Sequence, residues 1–215
     1  MRNSVIFDLD GTLWEVIEST HKSANHIVNK YNLKEINKDT ICKGFGLNKE
    51  ESANLYFPNI ELDKSTKLID EIAVTNIDNL KNNGGNVYRG VKEVLNKLVE
   101  KYDLYIVSNT SEIEYIRAFL KSAAAKELFK DYIAASSLNI SKTDAIKKII
   151  EDNKIESAVY IGDTIIDLES AKNNKIPFVY AKYGFGKDLN AKYSIDNIKD
   201  LPNILKKVFN DKEVV

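Results

Sequence analysis

Short apolar runs that alternate with amphipathic helical stripes restrict the fold of this chain more than any other feature. Residues 4–7, 105–107, 132–135, 158–161 and 178–181 are rich in β-branched and aromatic side chains and read as strands. Between them, Val91, Val94, Leu95, Leu98 and Val99 recur at helical spacing, as do Ile113, Ile116, Phe119 and Leu120. Ala145, Ile146, Ile149 and Ile150 form a third stripe, and Ile198, Leu201, Ile204, Leu205 and Val208 a fourth. Strands that are apolar throughout need cover on both faces, so the pattern predicts an α/β fold with a doubly wound parallel sheet. Right-handed crossovers then bring the carboxyl ends of the strands to one edge, where open α/β sheets form their ligand crevices.

Residues 15–86 break this rhythm and contain no clear strand. The stretch 16–31 reads as a helix, Asn48 with Glu51 reads as a capping box opening another, and Leu68, Ile69, Ile72, Ala73, Ile77 and Leu80 form a long stripe. Asn82-Asn83-Gly84-Gly85-Asn86 reads as a flexible return. The expected organisation is a core of residues 1–14 and 87–215 with a helical insertion at 15–86.

The strand ends carry the chemistry. Phe7-Asp8-Leu9-Asp10-Gly11-Thr12-Leu13 closes the first strand, and two carboxylates two residues apart on extended backbone point the same way. Such a pair repels itself unless a cation or a shared proton relieves it. Ser108 and Asn109 close the second strand, Lys142 follows the third, and Asp163 closes the fourth with Asp167 four residues on.

Strand-end Asp, strand-end Ser, Lys and strand-end Asp, in that order over the whole chain, resemble the haloacid dehalogenase superfamily. Within it the chain looks most like the phosphatase branch with a helical cap, of the phosphoglycolate-phosphatase-like kind. The resemblance implies a Rossmann-like core with residues 15–86 as an α-helical cap domain. It implies Asp8 as nucleophile and Asp10 as general acid and base. Magnesium would be held by Asp8, the backbone carbonyl of Asp10 and Asp163, with Asp167 orienting bound water or Lys142. Leu9, Thr12, Ser108, Asn109 and Lys142 are the implied phosphate-binding positions. In these phosphatases proline often follows the lysine, whereas Thr143 stands here, and Trp14 occupies a cap entry where small or polar residues are common.

Composition sets the remaining expectations. Of 215 residues 29% are charged and the net charge is −1, from 31 basic and 32 acidic residues, so no nucleic-acid or anionic-membrane face is expected. Cys42 is the sole cysteine, which excludes an internal disulfide and reads as a small buried side chain. With no signal-like or membrane-length apolar stretch, a cytoplasmic monomer or homodimer is expected. The expected partner is a small phosphorylated metabolite, hydrolysed as a phosphate monoester. A phosphomutase or phosphotransferase would use the same Asp8 and Asp10. A receiver-type signalling module would also use an aspartyl-phosphate, but is much shorter and lacks an inserted helical segment. His21 and His26, five apart on a helix, do not share a face. Lys43 and Lys49, near Gly44 and Gly46, read as exposed rather than as partners of an anionic substrate, and Gly184-Phe185-Gly186 reads as a glycine turn rather than as part of the pocket rim.

Overall fold

A computed structural model of the chain describes residues 2–211. Six strands form one parallel sheet: β1 (Ser4–Phe7), β4 (Asp103–Ser108), β5 (Phe129–Ala134), β6 (Ala158–Gly162), β7 (Phe178–Ala181) and β8 (Tyr193–Ile195). Their order is β5-β4-β1-β6-β7-β8. β1 is flanked by β4 on one side and β6 on the other, with Phe7 opposite Ile106 and Ile161. The strand order reverses at β1, which places the ligand crevice at its carboxyl end.

Alternate side chains of β1 enter apolar clusters on both faces, which explains why Val5, Ile6 and Phe7 are all apolar. Val5 and Phe7 join one apolar cluster with α5 (Val91–Leu98), α6 (Ile113–Ser122) and α9 (Leu201–Asn210). Ile6 joins a second cluster on the opposite face with α7 (Lys142–Asp152), β4 residue Tyr105 and β6 residue Tyr160. α8 (Ile165–Asn173) completes the cover on that second face through Ala171.

Between β1 and β4 the chain inserts α1 (Ile17–Lys30), α2 (Lys38–Gly44), α3 (Lys49–Tyr56) and α4 (Leu62–Asn83). These helices bury a cluster of their own, including Ile27, Val28, Ile41, Phe57, Leu68 and Ile72. Asn48 and Glu51 form a complete capping box at α3. Farther along α4, Ile77 and Leu80 pack into the cluster of the sheet instead, so this helix ties the insertion to the core.

The sequence expectation of no strand in 15–86 and of a flexible return at 82–86 is corrected here. β2 (Trp14–Glu15) and β3 (Asn86–Val87) pair as an antiparallel ribbon, with Trp14 opposite Val87 and Glu15 opposite Asn86. Asn82 and Asn83 belong to α4. Gly84 caps that helix at a φ of 73°, and Gly85 donates its N–H to Ser122 Oγ at 3.2 Å. A Cβ on Gly85 would collide with the Trp14 indole, which packs against Tyr115 and Phe119. Trp14 therefore packs where the insertion leaves the core, and its bulk accounts for the glycine opposite it.

Candidate active site

Asp8 follows β1 and is anchored by its backbone N–H, which donates to Ile161 O at 2.8 Å. Lys142 opens α7, whose N-cap Ser141 accepts from Asp144 N. From there its buried ammonium donates to Asp8 Oδ1 at 2.8 Å and to Asp167 Oδ1 at 2.7 Å. The other oxygen of Asp167 accepts from Thr164 N, Thr164 Oγ1 and Asp163 N at 2.9, 2.7 and 3.2 Å. Both Asp167 oxygens are thus engaged, and its geometry is that of a group orienting Lys142 and the loop after β6.

Asp163 is fully buried behind this pair. Thr12 Oγ1 donates to its Oδ1 at 3.3 Å, and Phe185 N donates to its Oδ2 at 2.6 Å. A Cβ on Gly11 or on Gly184 would collide with the Asp163 side chain. Gly11 also takes a φ of 79°, so glycine is required there on two grounds. Gly184-Phe185-Gly186 is therefore more than a plain glycine turn, because it packs directly against Asp163. Its pattern of turn residues gave no sign of the Asp163 contact.

Lone carboxylates crowded in this way resist ionisation. Burial raises Asp8 well above the usual carboxylate range; Asp167, Asp163 and Asp10 add to that rise, while Lys142 opposes it. Asp163 is pushed up to about 7, chiefly by burial and then by the charge of Asp167. Burial alone would lower the Lys142 ammonium, but the charges of Asp167 and Asp8 outweigh it and raise its pKa. One carboxylate oxygen from each of Asp8, Asp163 and Asp167 lies within 4.8 Å of the others. An all-oxygen, acidic donor set of this kind fits a hard divalent cation.

Asp10 is half-buried, and Tyr115 donates its hydroxyl to Asp10 Oδ1 at 2.8 Å. Burial pushes the Asp10 carboxyl up to about 6, with the Tyr115 hydrogen bond opposing the rise. Tyr115 was not legible as a site residue, because it sits inside the α6 apolar stripe and 105 positions from its partner.

Asp8, Asp10, Ser108, Asn109 and Lys142 line one cavity of about 220 Å³, and residues of α1 to α4 line its other side. Ser108 is buried at the end of β4 and accepts a hydrogen bond from Thr110 N at 3.4 Å. α6 starts at Ile113, after a turn in which Thr110 and Glu112 bond to each other. Two expected phosphate-binding positions lie differently. Thr12 is fully buried with its hydroxyl on Asp163, and Leu9 buries its side chain in the core, so neither lines the cavity. Lys43 and Lys49 are exposed, Lys49 being paired with Asp70, and neither they nor the two histidines line the cavity. Cys42 is half-buried, not fully enclosed.

The insertion also touches the far side of the site. Phe45, between α2 and α3, stacks on Phe185 with centroids 4.4 Å apart, and Gly46 lies against Ile166 and Thr164.

Acidic strand-end loops and a shared buried lysine, at the reversal point of a doubly wound sheet, define the class. Residues 5–181 match the haloacid dehalogenase-like hydrolases, and the chain belongs to that family as one of its enzymes. Among relatives, it is 24% identical over 192 residues to a phosphoglycolate phosphatase of Rhodobacter capsulatus, covering 87% of each chain. Its fold matches a haloacid dehalogenase-like hydrolase of Streptococcus pneumoniae with a TM-score of 0.83 at 19% identity, over 95% of this chain and 98% of that one. It also matches a predicted phosphatase of Clostridium acetobutylicum with a TM-score of 0.77 at 25% identity, over 96% and 99% of the two chains. No helix among the described residues is long and apolar enough to cross a membrane.

Proposed function

We propose that this enzyme is a magnesium-dependent phosphatase that hydrolyses a small phosphate monoester through a phosphorylated Asp8. The observation that carries the reading is the buried Lys142 bridging Asp8 and Asp167 at the floor of a cavity that Asp10 also lines. In the first step an Asp8 oxygen attacks phosphorus while the ester P–O bond breaks, and protonated Asp10 gives its proton to the leaving oxygen. In the second step Asp10, now a carboxylate, takes a proton from water as that water attacks phosphorus. The bond to Asp8 then breaks, releasing inorganic phosphate and restoring the Asp8 carboxylate. Lys142 holds Asp8 in place and adds positive charge beside the transferring group. Ser108 and the backbone N–H of Asn109 supply donors to the phosphoryl oxygens. Asp8, the Asp10 carbonyl and Asp163 would hold magnesium, whose charge offsets the repulsion between a carboxylate and a phosphate dianion.

Tyr115 holds Oδ1 of the half-buried Asp10 in place, and a carboxyl of raised pKa suits an acid that must later act as base. Asp10→Asn should lower kcat by ~10²–10⁴-fold through failed proton transfer. A rate within a few-fold of wild type would remove Asp10 from this role.

The helical insertion, lining the same cavity from above, acts in this reading as a cap that excludes bulk water and large substrates. The test is phosphate release from an aryl phosphate and a panel of phosphorylated metabolites, with magnesium. Turnover of these with kcat/KM far above that for a folded phosphoprotein is the expected result. No turnover of any ester would overturn the phosphatase, and comparable turnover of the phosphoprotein would overturn the cap's role.

A further inference from the structure

The cap side of the cavity differs in charge from its floor, and that difference bears on the leaving group. Among the described residues lining the cavity, the charged ones are Asp8, Asp10 and Lys142, all on the floor. Lys142 is already shared between Asp8 and Asp167. The cap contributes neutral polar groups from Thr20, Ser52, Tyr56 and Asn76, set among apolar residues such as Ile72 and Ile77.

Two of those polar groups are held in place. Asn76 Nδ2 donates to Thr20 Oγ1 at 3.2 Å, and Ser23 Oγ donates to Asn76 Oδ1 at 3.4 Å. Asn79 Nδ2 in turn donates to Ser23 Oγ at 3.0 Å. This ladder between α1 and α4 fixes a neutral hydrogen-bonding edge at the cavity. Lysines of the insertion pair on its outside instead: Lys30 with Glu71, Lys38 and Lys22 with Glu18, Lys49 with Asp70, and Lys64 with Glu61.

Resting on the phosphatase reading above, the geometry points to a leaving group that is an uncharged, partly apolar alcohol carrying a hydroxyl or carbonyl. A leaving group with a carboxylate would be buried opposite Asp8 and Asp10 and meet no cation on the cap. Like charges brought together in a desolvated site oppose binding strongly. The hydroxyl of Thr20 and the amide of Asn76 can instead meet a substrate hydroxyl, while Ile72 and Ile77 cover its carbon skeleton. The enzyme thereby discriminates against phosphoglycolate, the compound in the name of its Rhodobacter relative.

Matched substrates isolate the charge. Hydroxyethyl phosphate and phosphoglycolate differ only in a CH₂OH group against a carboxylate, and phenyl and para-carboxyphenyl phosphate differ by one carboxylate. With purified full-length protein and magnesium, kcat/KM should favour the neutral member of each pair, by on the order of 10²-fold. A preference below tenfold in both pairs, or any preference for the carboxylates, overturns the inference. Ala73→Lys, which adds a cation to the cap side of the cavity, should move the ratio toward the carboxylates by tenfold or more. An unmoved ratio in a folded variant counts against it as well. Failure on all four esters and on para-nitrophenyl phosphate would instead remove the phosphatase reading, and this inference with it.

Discussion

Asp8→Asn is expected to abolish turnover, by ~10⁴-fold or more in kcat, while the metal-free protein becomes no less stable. The two halves of this expectation have separate causes. Asparagine keeps the shape of the side chain, and its carbonyl oxygen can still accept from the Lys142 ammonium that now reaches Asp8 Oδ1 at 2.8 Å. It cannot form the acyl phosphate that the proposed first step requires. For stability the sign follows from the pKa. Burial, with the neighbouring Asp167, Asp163 and Asp10, raises the Asp8 carboxyl well above its ordinary value, so its charged form is disfavoured in the folded state. Replacing it with a neutral group removes that repulsion, while Asp167 continues to neutralise Lys142 at 2.7 Å. Steady-state kinetics on an aryl phosphate, paired with thermal unfolding in chelator, checks both halves. Residual activity within a hundredfold of wild type in a folded variant would sink the nucleophile. A large drop in Tm would show that the ion pair outweighs the repulsion.

Residues at strand ends were legible because an apolar run has a readable end. Asp8 and Asp163 each follow a buried strand and Ser108 ends one, and the sheet brings these strand ends to one edge as the crossover rule requires. Lys142 has no such marker, and it became readable only through the order of all four motifs. What the sequence hid is either short or distant. β2 and β3 have two residues each, too few to show an alternation, and they exist because Trp14 needs the surface offered by Gly85, Tyr115 and Phe119. β8 is a three-residue edge strand with only Ile195 buried, so its polar character reads as loop. Tyr115 and Phe185 serve Asp10 and Asp163 across 105 and 22 positions, and no local pattern reports a contact of that kind. Thr12 is a phosphate-binding position only by the family resemblance, and its buried hydroxyl donates to Asp163.

Removal of divalent cations should abolish activity, and should also make stability fall as pH rises through neutrality. Magnesium should restore turnover, whereas calcium should restore little because it accepts looser, higher coordination. The pH effect follows from the buried acids. Unfolded carboxyls of this kind titrate near 3.9. In the folded protein Asp163 is pushed up to about 7 and Asp10 to about 6, each chiefly by burial, and Asp8 is raised as well. From the unfolded value up to the folded ones, the native state therefore binds more protons than the unfolded state. Stability must fall as pH rises through that window. Lys142 leaves the sign unchanged, since its raised pKa confers stability that is lost only in strongly alkaline solution. Between pH ~6 and ~8, a shift of the size shown by Asp163 corresponds to about 1.4 kcal/mol. For a chain of this length that is a fall in Tm of roughly 3–6 °C. Magnesium should oppose this fall, because it favours the ionised carboxylates of Asp8 and Asp163 and binds the native state alone. Unfolding scans in chelator and in excess magnesium at both pH values test the linkage. Equal Tm at the two pH values without metal would remove the buried-acid argument. Full activity in chelator would overturn the metal-dependent mechanism itself.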